Sequence, residues 1–198
     1  MKTNYVLIDY ENVQPEAMAV LNEEHFKVIV FVGANQTKVS FEVASALQQM
    51  GTRAEYVRIS GNGSNSLDFH IAFYIGQLAA QEPEAYFHIV SKDTGFDPLI
   101  QHLKARKILA CRSKDVTEIP IVKAAHSKTP GERLEVVIAD LQRRGAAKPR
   151  TVKTLSSTIN SIFQKQISEQ ELVDLMASLE KRGVIVTVGT KVSYALPS

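Results

Sequence analysis

The amino-acid sequence predicts an α/β domain with a mainly parallel sheet flanked by helices, followed by a small winged-helix domain. In residues 1–125, short apolar runs alternate with segments of helical periodicity, and beyond residue 131 the pattern changes to three helices and a hairpin. The chain of 198 residues is 44% hydrophobic and 22% charged, which is typical of a globular protein with a real core. We expect a first domain over 1–125, a linker over 126–130 and a second domain over 131–198.

Five short runs in the first part have the composition of buried strands. They are rich in Val, Ile and Tyr and are too short for helices. The runs are Tyr5–Ile8, Val28–Val32, Ala54–Ile59, Tyr86–Val90 and Ile108–Cys111. Because each run is continuously apolar and helical segments separate them, we expect a parallel sheet that is covered on both faces.

Helical spacing of apolar residues marks the segments between these strands. The four predicted helices are Pro15–Leu21, Ser40–Met50, Leu67–Ala80 and Pro98–Ala105. Gly51 stands directly after the second helix, where a glycine commonly ends a helix.

The second part has a different pattern. Residues 123–131, KAAHSKTPG, are small and polar and include Pro and Gly, as expected of a linker. Apolar residues then predict three helices: Leu134, Val137, Ile138 and Leu141 mark the first, Val152, Leu155, Ile159 and Ile162 the second, and Leu172, Leu175, Met176 and Leu179 the third. Ser168 with Glu171 forms a capping-box sequence before the third helix. Val184–Val188 and Lys191–Leu196 flank a Gly-Thr turn and predict a hairpin.

Composition limits the location and the partners that the sequence predicts. No run of 18 apolar residues is present, so no membrane span is predicted. The N-terminal residues lack the pattern of a signal peptide, and the lone Cys111 cannot form an internal disulfide, so we expect a reduced, cytoplasmic location. Residues 1–125 carry 12 Lys and Arg against 14 Asp and Glu, whereas residues 126–198 carry 11 against 7. This excess of positive charge favours a polyanionic partner for the second part.

Acidic residues follow three of the predicted strands. They are Asp9 with Glu11 after the first strand, Asp68 in the first turn of the helix after the third strand, and Asp93 and Asp97 after the fourth strand. In an open parallel sheet, ligands bind beyond the carboxyl ends of the strands, near the point where the strand order reverses. We therefore expect these side chains to face one edge of the sheet.

Several carboxylates within a few ångström repel one another, and a divalent cation removes that conflict. Mg²⁺ and Mn²⁺ prefer oxygen ligands, and the five histidines show no paired spacing of the kind that binds zinc. A cation of this type polarises a phosphoryl oxygen and lowers the pKa of a bound water. The acids therefore predict a Mg²⁺ or Mn²⁺ site.

Each acid also has a purely structural explanation. Asp97 precedes Pro98, and this pair is common at the start of a helix. Asp68 lies in a first helical turn, where the helix dipole favours an acid, and Asp9 could simply end a strand. Asp93 directly follows a buried strand and needs compensation there. The set of acids at one sheet edge favours a binding site over these separate explanations.

Three segments resemble the acidic motifs of the PIN-like nucleases, specifically their NYN-type bacterial branch. The segments are VLIDYENV, NSLDFHIAFYIG and FHIVSKDTGFDPLI, and the resemblance covers residues 4–112. It implies a Rossmann-like sheet and a metal-dependent acidic site that cleaves single-stranded RNA.

The resemblance also implies roles for individual residues. The metal-binding and catalytic acids would be Asp9, Asp68, Asp93 and Asp97. Asn12 would be a polar ligand or an orienting group, and Ser91 would hydrogen-bond a carboxylate or a water. Glu11 would reach water or substrate, and Lys92 would meet a phosphate or only solvent. Many relatives carry a Lys shortly before the second acid, and Asn62, Asn65 and Ser66 stand there in this chain.

The predicted winged helix resembles helix-turn-helix modules that are appended to some NYN-type nucleases. Its candidate nucleic-acid-binding residues lie between the first two helices and are Arg143, Arg144, Lys148, Arg150 and Lys153. Such residues neutralise phosphates, although basic residues at helix ends are also common on solvated surfaces. The third helix has three acids in its first half, so we do not expect it to read a DNA sequence. Docking of a protein partner stays open.

The leading hypothesis is a Mg²⁺- or Mn²⁺-dependent ribonuclease that cleaves phosphodiester bonds in single-stranded RNA through a metal-activated water. The second domain would recruit nucleic acid or a protein. Two alternatives stay open: a non-catalytic module that binds RNA or a nucleotide, and a regulator whose winged helix docks DNA or protein. The sequence also leaves open whether the chain forms a homo-oligomer.

Overall fold

The structure is a computed structural model that describes residues 2–61, 63, 65–127, 129–163, 165 and 167–196. The chain divides into two units, residues 1–119 and residues 120–198. This boundary lies before the predicted one, because residues 120–126 form a helix that packs against the helix after it. Residues 126–130, the predicted linker, include the end of one helix at His126 and the N-cap of the next at Thr129.

The first unit contains a five-stranded parallel sheet. Its strands are β1 (Asn4–Asp9), β2 (Phe26–Val32), β3 (Ala54–Arg58), β4 (Tyr86–Val90) and β5 (Leu109–Ser113), and their order is β3-β2-β1-β4-β5. All five predicted strands are confirmed, with ends that differ by at most two residues. The order places β1 and β4 side by side at the centre, so the direction of the strand order reverses between them.

Two helices cover one face of this sheet, α2 (Ser66–Gln81) and α3 (Phe96–Ala105). Register makes this face continuous, since Leu7 of β1 pairs with both Ile29 and Ile89. Side chains at paired positions of parallel strands point to the same side. The buried cluster on this face contains Tyr5, Leu7, Ile29, Phe31, Phe87 and Ile89 from the strands and Leu67, Ile71, Ile75, Phe96, Ile100 and Leu103 from the helices.

Alternation along the strands turns Val6, Ile8 and Val30 to the opposite face, where all three are fully buried. Helix α1 (Phe41–Met50) and two short 3-10 helices, Met18–Leu21 and Val116–Glu118, pack together on this side. Helix α1 begins directly after Ser40, which is the first residue of the predicted helix. The Ser40 hydroxyl caps α1 by accepting a hydrogen bond from the Val43 N–H.

One helix prediction in this unit is wrong. Residues 15–21 do not form a helix; only Met18–Leu21 adopt a single 3-10 turn, whose two buried residues lie three positions apart on one side. The predicted helix Pro98–Ala105 is confirmed as α3, which begins two residues earlier at Phe96, so Asp97 is not its N-cap.

The second unit contains four helices and a hairpin in its described residues. They are α4 (Pro120–His126), α5 (Pro130–Arg143), α6 (Val152–Ile162), α7 (Glu169–Lys181), β6 (Ile185–Val188) and β7 (Lys191–Tyr194). The three predicted helices, the capping box of Ser168 with Glu171, and the hairpin are confirmed. Helix α4 was not predicted, because its small residues resemble a linker. None of the described helices of the chain has the length and apolar character needed to cross a membrane.

Residues at the end of α7 and the start of β6 belong to the hydrophobic core of the second unit. Its buried cluster contains Leu134, Val137, Leu141, Leu155, Ile159, Leu175, Leu179, Ile185 and Val192. The segment before α6 also joins the hairpin: Thr151 forms a bridge with Lys191, and the Val192 N–H donates to the Arg150 carbonyl at 3.0 Å. This isolated bridge places the segment before α6 alongside β7.

A polar network ties the amino ends of β1 and β2 to the end of α2. The Lys27 ammonium and the Tyr5 hydroxyl both donate to Glu82 Oε1 at 2.6 Å. Lys27 also donates to the Tyr5 hydroxyl at 3.1 Å. The hydrogen bond from Lys27, followed by that from Tyr5, lowers the pKa of Glu82 from 4.5 to about 2.

This network should make the stability of the first unit sensitive to acid. Its contribution is complete above pH 4.5 and is lost as the pH falls towards the folded-state pKa of about 2. We expect the urea midpoint to fall less between about pH 5 and about pH 3 in Glu82→Gln than in the wild type. Glu24→Gln changes an exposed acid outside the network, so its urea midpoint should fall as much as that of the wild type. Identical pH profiles for Glu82→Gln and the wild type would contradict the role of Glu82.

Candidate active site

The site lies at the carboxyl ends of β1 and β4, where the strand order reverses. Asp9 is the last residue of β1, and Ser91 directly follows β4. Asp9 shares its face of the sheet with Leu7, and Ser91 shares it with Ile89, which is the face that α2 and α3 cover. Sheets of this kind bind their ligands at this position.

Asp9 is almost fully buried, with 1% of its surface exposed, and three hydrogen bonds hold its carboxylate. The side-chain amide of Asn12 donates to Oδ2 at 2.7 Å, and the backbone N–H of Asn12 donates to Oδ1 at 3.2 Å. The Ser91 hydroxyl donates to Oδ2 at 2.8 Å. Asn12 therefore orients Asp9, which is one of the two roles that the sequence resemblance implies.

Ser91 connects the first and third acidic motifs. Its fully buried hydroxyl donates to Asp9 and accepts a hydrogen bond from the Asp93 N–H at 3.0 Å. The prediction that Ser91 hydrogen-bonds a carboxylate is confirmed. Asp93 itself is half-buried, and its Oδ1 accepts a hydrogen bond from the Gly95 N–H at 2.7 Å.

Asp68 lies in the first turn of α2 and is half-buried. Burial is the largest cause that raises its pKa above the usual value, and the negative charges of Asp93, Asp9 and Glu11 raise the pKa further. Acids from all three motifs therefore act on one another electrostatically. The fold brings together Asp9, Asp68 and Asp93, together with the accessory Glu11.

Glu11 reaches this cluster because Gly33 has no side chain. Gly33 follows β2, and a Cβ at this position would lie 1.8 Å from Glu11 Oε1 and 2.6 Å from Glu11 Cδ. Any other residue would displace the Glu11 side chain. The sequence analysis did not identify Gly33; the only signal for it is a glycine directly after a buried strand.

Lys92 is exposed on the loop after β4.

Asp97 has a different environment from the other acids. Arg112 of β5 donates to both of its carboxylate oxygens, from Nε to Oδ1 at 2.8 Å and from Nη2 to Oδ2 at 3.0 Å. These hydrogen bonds are the main cause that lowers the pKa of Asp97. Arg112 was missed in the sequence analysis, although a basic residue within a buried strand is itself unusual.

The donor set suits Mg²⁺ or Mn²⁺ in its chemistry, since Asp9, Asp68 and Asp93 offer only carboxylate oxygens. Burial raises the pKa of Asp68, the charges of Asp93, Asp9 and Glu11 raise it further, and a cation at this edge would offset that repulsion. Within the described residues, however, no three His, Cys, Asp or Glu side chains are arranged to hold a metal ion. A metal at this edge would therefore keep several water ligands, as Mg²⁺ usually does.

The predicted basic residues of the second unit fall into two groups: three have partners within the unit, and two are exposed to solvent. Arg143 and Arg144 at the end of α5 both donate to the buried carboxylate of Asp140. Lys148 donates to the Gly145 carbonyl at 2.6 Å and lies over the Tyr194 ring at 5.8 Å. The two other predicted residues, Arg150 and Lys153, are exposed.

Asn65 and Ser66, which stand in place of the lysine that the resemblance implies, lie at the start of α2, and Asn62 lies outside the described residues. Asn65 has a left-handed conformation, with φ of 65°, before the first residue of the helix. The polar segment before Asp68 thus ends in a tight turn that sets where α2 begins.

Comparison with known proteins gives one match. A family model for the PIN domain matches residues 3–113, which is more than half of the chain. The matched region contains the whole parallel sheet and every acid of the site. No curated protein and no solved structure matches the chain.

Replacing Asp68 should relieve the repulsion within the cluster. Because the pKa of Asp68 is raised in the folded state, its charge destabilises the fold as the pH rises through that pKa. We expect Asp68→Asn to have a higher melting temperature than the wild type at about pH 7 with a chelator present. Excess Mn²⁺ should stabilise the wild type more than the variant and so reduce the difference.

Glu24→Gln is the control for this measurement, because it removes an exposed acid outside the cluster. It should leave the response to Mn²⁺ unchanged. A lower melting temperature of Asp68→Asn in chelator would contradict the electrostatic account of the cluster.

Proposed function

The chain belongs to the PIN domain family, and we propose that it is a divalent-metal-dependent ribonuclease of the NYN type that cleaves single-stranded RNA. PIN domains are generally metal-dependent nucleases. The observation that carries the proposal is the shared environment of Asp9, Asp68 and Asp93, which come from three separate segments and meet at one sheet edge. The motif VLIDYENV, from which Asp9 comes, supports the NYN assignment.

Asp9, Asp68 and Asp93 would hold the metal. When bound, Mg²⁺ or Mn²⁺ supplies a Lewis acid for the phosphoryl oxygens and a water of lowered pKa that attacks phosphorus. Asn12 and Ser91 hold the Asp9 carboxylate in one orientation, so it needs no rearrangement to act as a ligand.

Exposed groups beside the acids supply the contacts with the substrate. Lys92, on the loop that carries Asp93, is placed to meet a phosphate, and Glu11 remains exposed for water or substrate. Phe69 and Phe73 lie one turn apart on the solvent side of α2 and are 71% and 65% exposed. Exposed aromatic rings stack with the bases of single strands, which a duplex does not offer. Phe69 directly follows Asp68 in the chain, so these rings support a single-stranded substrate.

The second unit is proposed to be a winged helix that recruits the same nucleic acid. Its order of helices and hairpin supports this type. The bridge between Thr151 and Lys191 brings the segment that carries the exposed Arg150 alongside the exposed Lys191, and Lys153 follows in the first turn of α6. We assign the phosphate contacts to these three residues.

Arg143 and Arg144 are less suited to this role, because Asp140 already accepts hydrogen bonds from both. The first turn of α6 has no acid, whereas Glu169, Glu171 and Asp174 lie in the first half of α7. The start of α6, rather than α7, is therefore the electrostatically favoured side of the unit.

One observation favours a second candidate function, a non-catalytic module that binds RNA. Among the described residues, no three His, Cys, Asp or Glu side chains are arranged to hold a metal ion. Turnover that depends on a divalent cation separates the two functions, since a binding module would retain RNA without cleaving it.

Loss of a metal-binding acid should abolish cleavage. We expect Asp9→Asn and Asp93→Asn to cleave labelled single-stranded RNA at least about 100-fold more slowly than the wild type in Mn²⁺ or Mg²⁺, with their circular dichroism unchanged. Ser91→Ala, which removes the hydroxyl between these two acids, should lose about 10-fold.

Glu24→Gln is the control variant and should cleave at the wild-type rate. The assay also tests single-stranded DNA as a substrate and repeats the RNA cleavage with a chelator present. Equal cleavage with the chelator, or wild-type rates in both aspartate variants, would refute the proposed function. RNA binding without turnover in the wild type would favour the non-catalytic module.

The basic residues before α6 should govern binding that depends on salt. Each phosphate contact with a single strand contributes about 0.7 to the slope of log K against log salt concentration. The double variant Arg150→Gln/Lys153→Gln should therefore reduce this slope by about 1 to 1.5, as measured by fluorescence anisotropy with an uncleavable RNA. The double variant Lys165→Gln/Lys181→Gln removes two other exposed lysines of the same unit and should leave the slope unchanged. Equal slopes in all three proteins would exclude this surface.

A further inference from the structure

We propose that Asp97 is not a metal ligand, and that it forms with Arg112 a clamp that positions Asp93. The clamp is defined as the ion pair of these two side chains, and the turn that it holds is Ser91–Asp97, which runs from the end of β4 into the first turn of α3. The inference deepens the proposed function, because it rests on Asp93 being a ligand at that site. It departs from the four-acid site that the sequence resemblance implies.

Arg112 holds both ends of the turn with one guanidinium group. Two parallel hydrogen bonds, from Nε and Nη2, reach the carboxylate of Asp97 at 2.8 and 3.0 Å. The third nitrogen, Nη1, donates to the backbone carbonyl of Ser91 at 3.2 Å. A paired donor geometry of this kind defines orientation as well as distance. Residues 91 and 97 are therefore fixed relative to β5 and to each other.

The interior of the turn is a chain of hydrogen bonds that begins at Ser91. The Ser91 N–H donates to the Ser113 carbonyl at 3.0 Å, which extends the pairing of β4 with β5 by one residue. The Asp93 N–H then donates to the Ser91 hydroxyl, and the Gly95 N–H donates to Asp93 Oδ1. The Asp97 N–H closes the turn on the Thr94 carbonyl at 2.9 Å. The orientation of Asp93 therefore depends on where Ser91 is held.

The charge of Asp97 is used within the pair. Arg112 has only 14% of its side chain exposed, so loss of Asp97 would leave a largely buried guanidinium without its partner carboxylate. A cation at the cluster would have to compete with Arg112 for both oxygens of Asp97.

The two roles of Asp97 predict opposite effects of changing Arg112. If Asp97 were a ligand, weakening its pair with Arg112 would free a carboxylate, and metal binding would stay the same or become tighter. If the pair is a clamp, weakening it from either side loosens the turn and weakens metal binding. Arg112→Lys is the sharpest variant, because it keeps the positive charge and loses the paired donor geometry.

The first experiment titrates Mn²⁺ into the full chain without RNA and follows free Mn²⁺ by electron paramagnetic resonance. We expect Asp97→Asn and Arg112→Lys each to weaken binding, by up to about 10-fold. The double variant should bind no more weakly than the weaker single variant, because both changes remove the same pair. Arg106→Lys, at an exposed arginine after α3, is the matched control, and Asp93→Asn measures the loss of a ligand.

The second experiment measures amide hydrogen exchange in chelator and so does not require the metal. Asp97→Asn and Arg112→Lys should both accelerate exchange at Asp93, Gly95 and Asp97, and Arg106→Lys should not. Unchanged exchange in both clamp variants would refute the clamp. Weaker Mn²⁺ binding in Asp97→Asn with equal or tighter binding in Arg112→Lys would identify Asp97 as a ligand and overturn the inference.

Failure of the proposed function would look different. If the wild type does not bind Mn²⁺ and Asp93→Asn changes nothing, the metal site fails. Faster exchange in both clamp variants would still support the positioning of the turn by Arg112, and unchanged exchange would refute it.

Discussion

Repulsion between carboxylates at one edge of the sheet is the constraint on which the site depends. The strand order places β1 and β4 side by side, so the acids that follow them lie close together, and α2 adds Asp68 to the same edge. Each acid has a different compensation: Asp9 accepts three hydrogen bonds, and Asp93 accepts one from a backbone amide. Burial, followed by the negative charges of Asp93, Asp9 and Glu11, raises the pKa of Asp68. A divalent cation is the chemical group that fits this imbalance.

Rigid elements hold most of the polar groups in this arrangement. Asp9 ends a central strand, Arg112 lies in a neighbouring strand, and Ser91 continues the pairing of β4 with β5. Groups that strands support keep their geometry better than groups on loops. The turn that carries Asp93 lies outside regular structure, and there one arginine and one buried hydroxyl replace the support of the sheet.

The second unit shows why counting charges along a chain is a weak guide to a binding surface. Five basic residues cluster between α5 and α6, but helical spacing places Arg143 and Arg144 within reach of the buried Asp140. The bridge between Thr151 and Lys191 then adds a lysine that is distant in sequence. The exposed cationic surface is therefore formed by different residues from the basic cluster in the sequence. Both are positively charged and both belong to the second unit.

Patterns that depend on neighbouring residues were sufficient for most of this protein. Five apolar runs, helical spacing and capping residues determined the strands, nearly all helices and the parallel sheet, and the acids after three strands indicated which edge is the candidate site. Tertiary structure alone decided the partners of each charge, because such pairs join residues far apart in the chain. The pairing of Asp97 with Arg112 and the place of Gly33 beneath Glu11 are of this kind. The predicted helix at residues 15–21 is absent for another tertiary reason. The apolar residues have helical spacing, but a single 3-10 turn is enough to bury Met18 and Leu21.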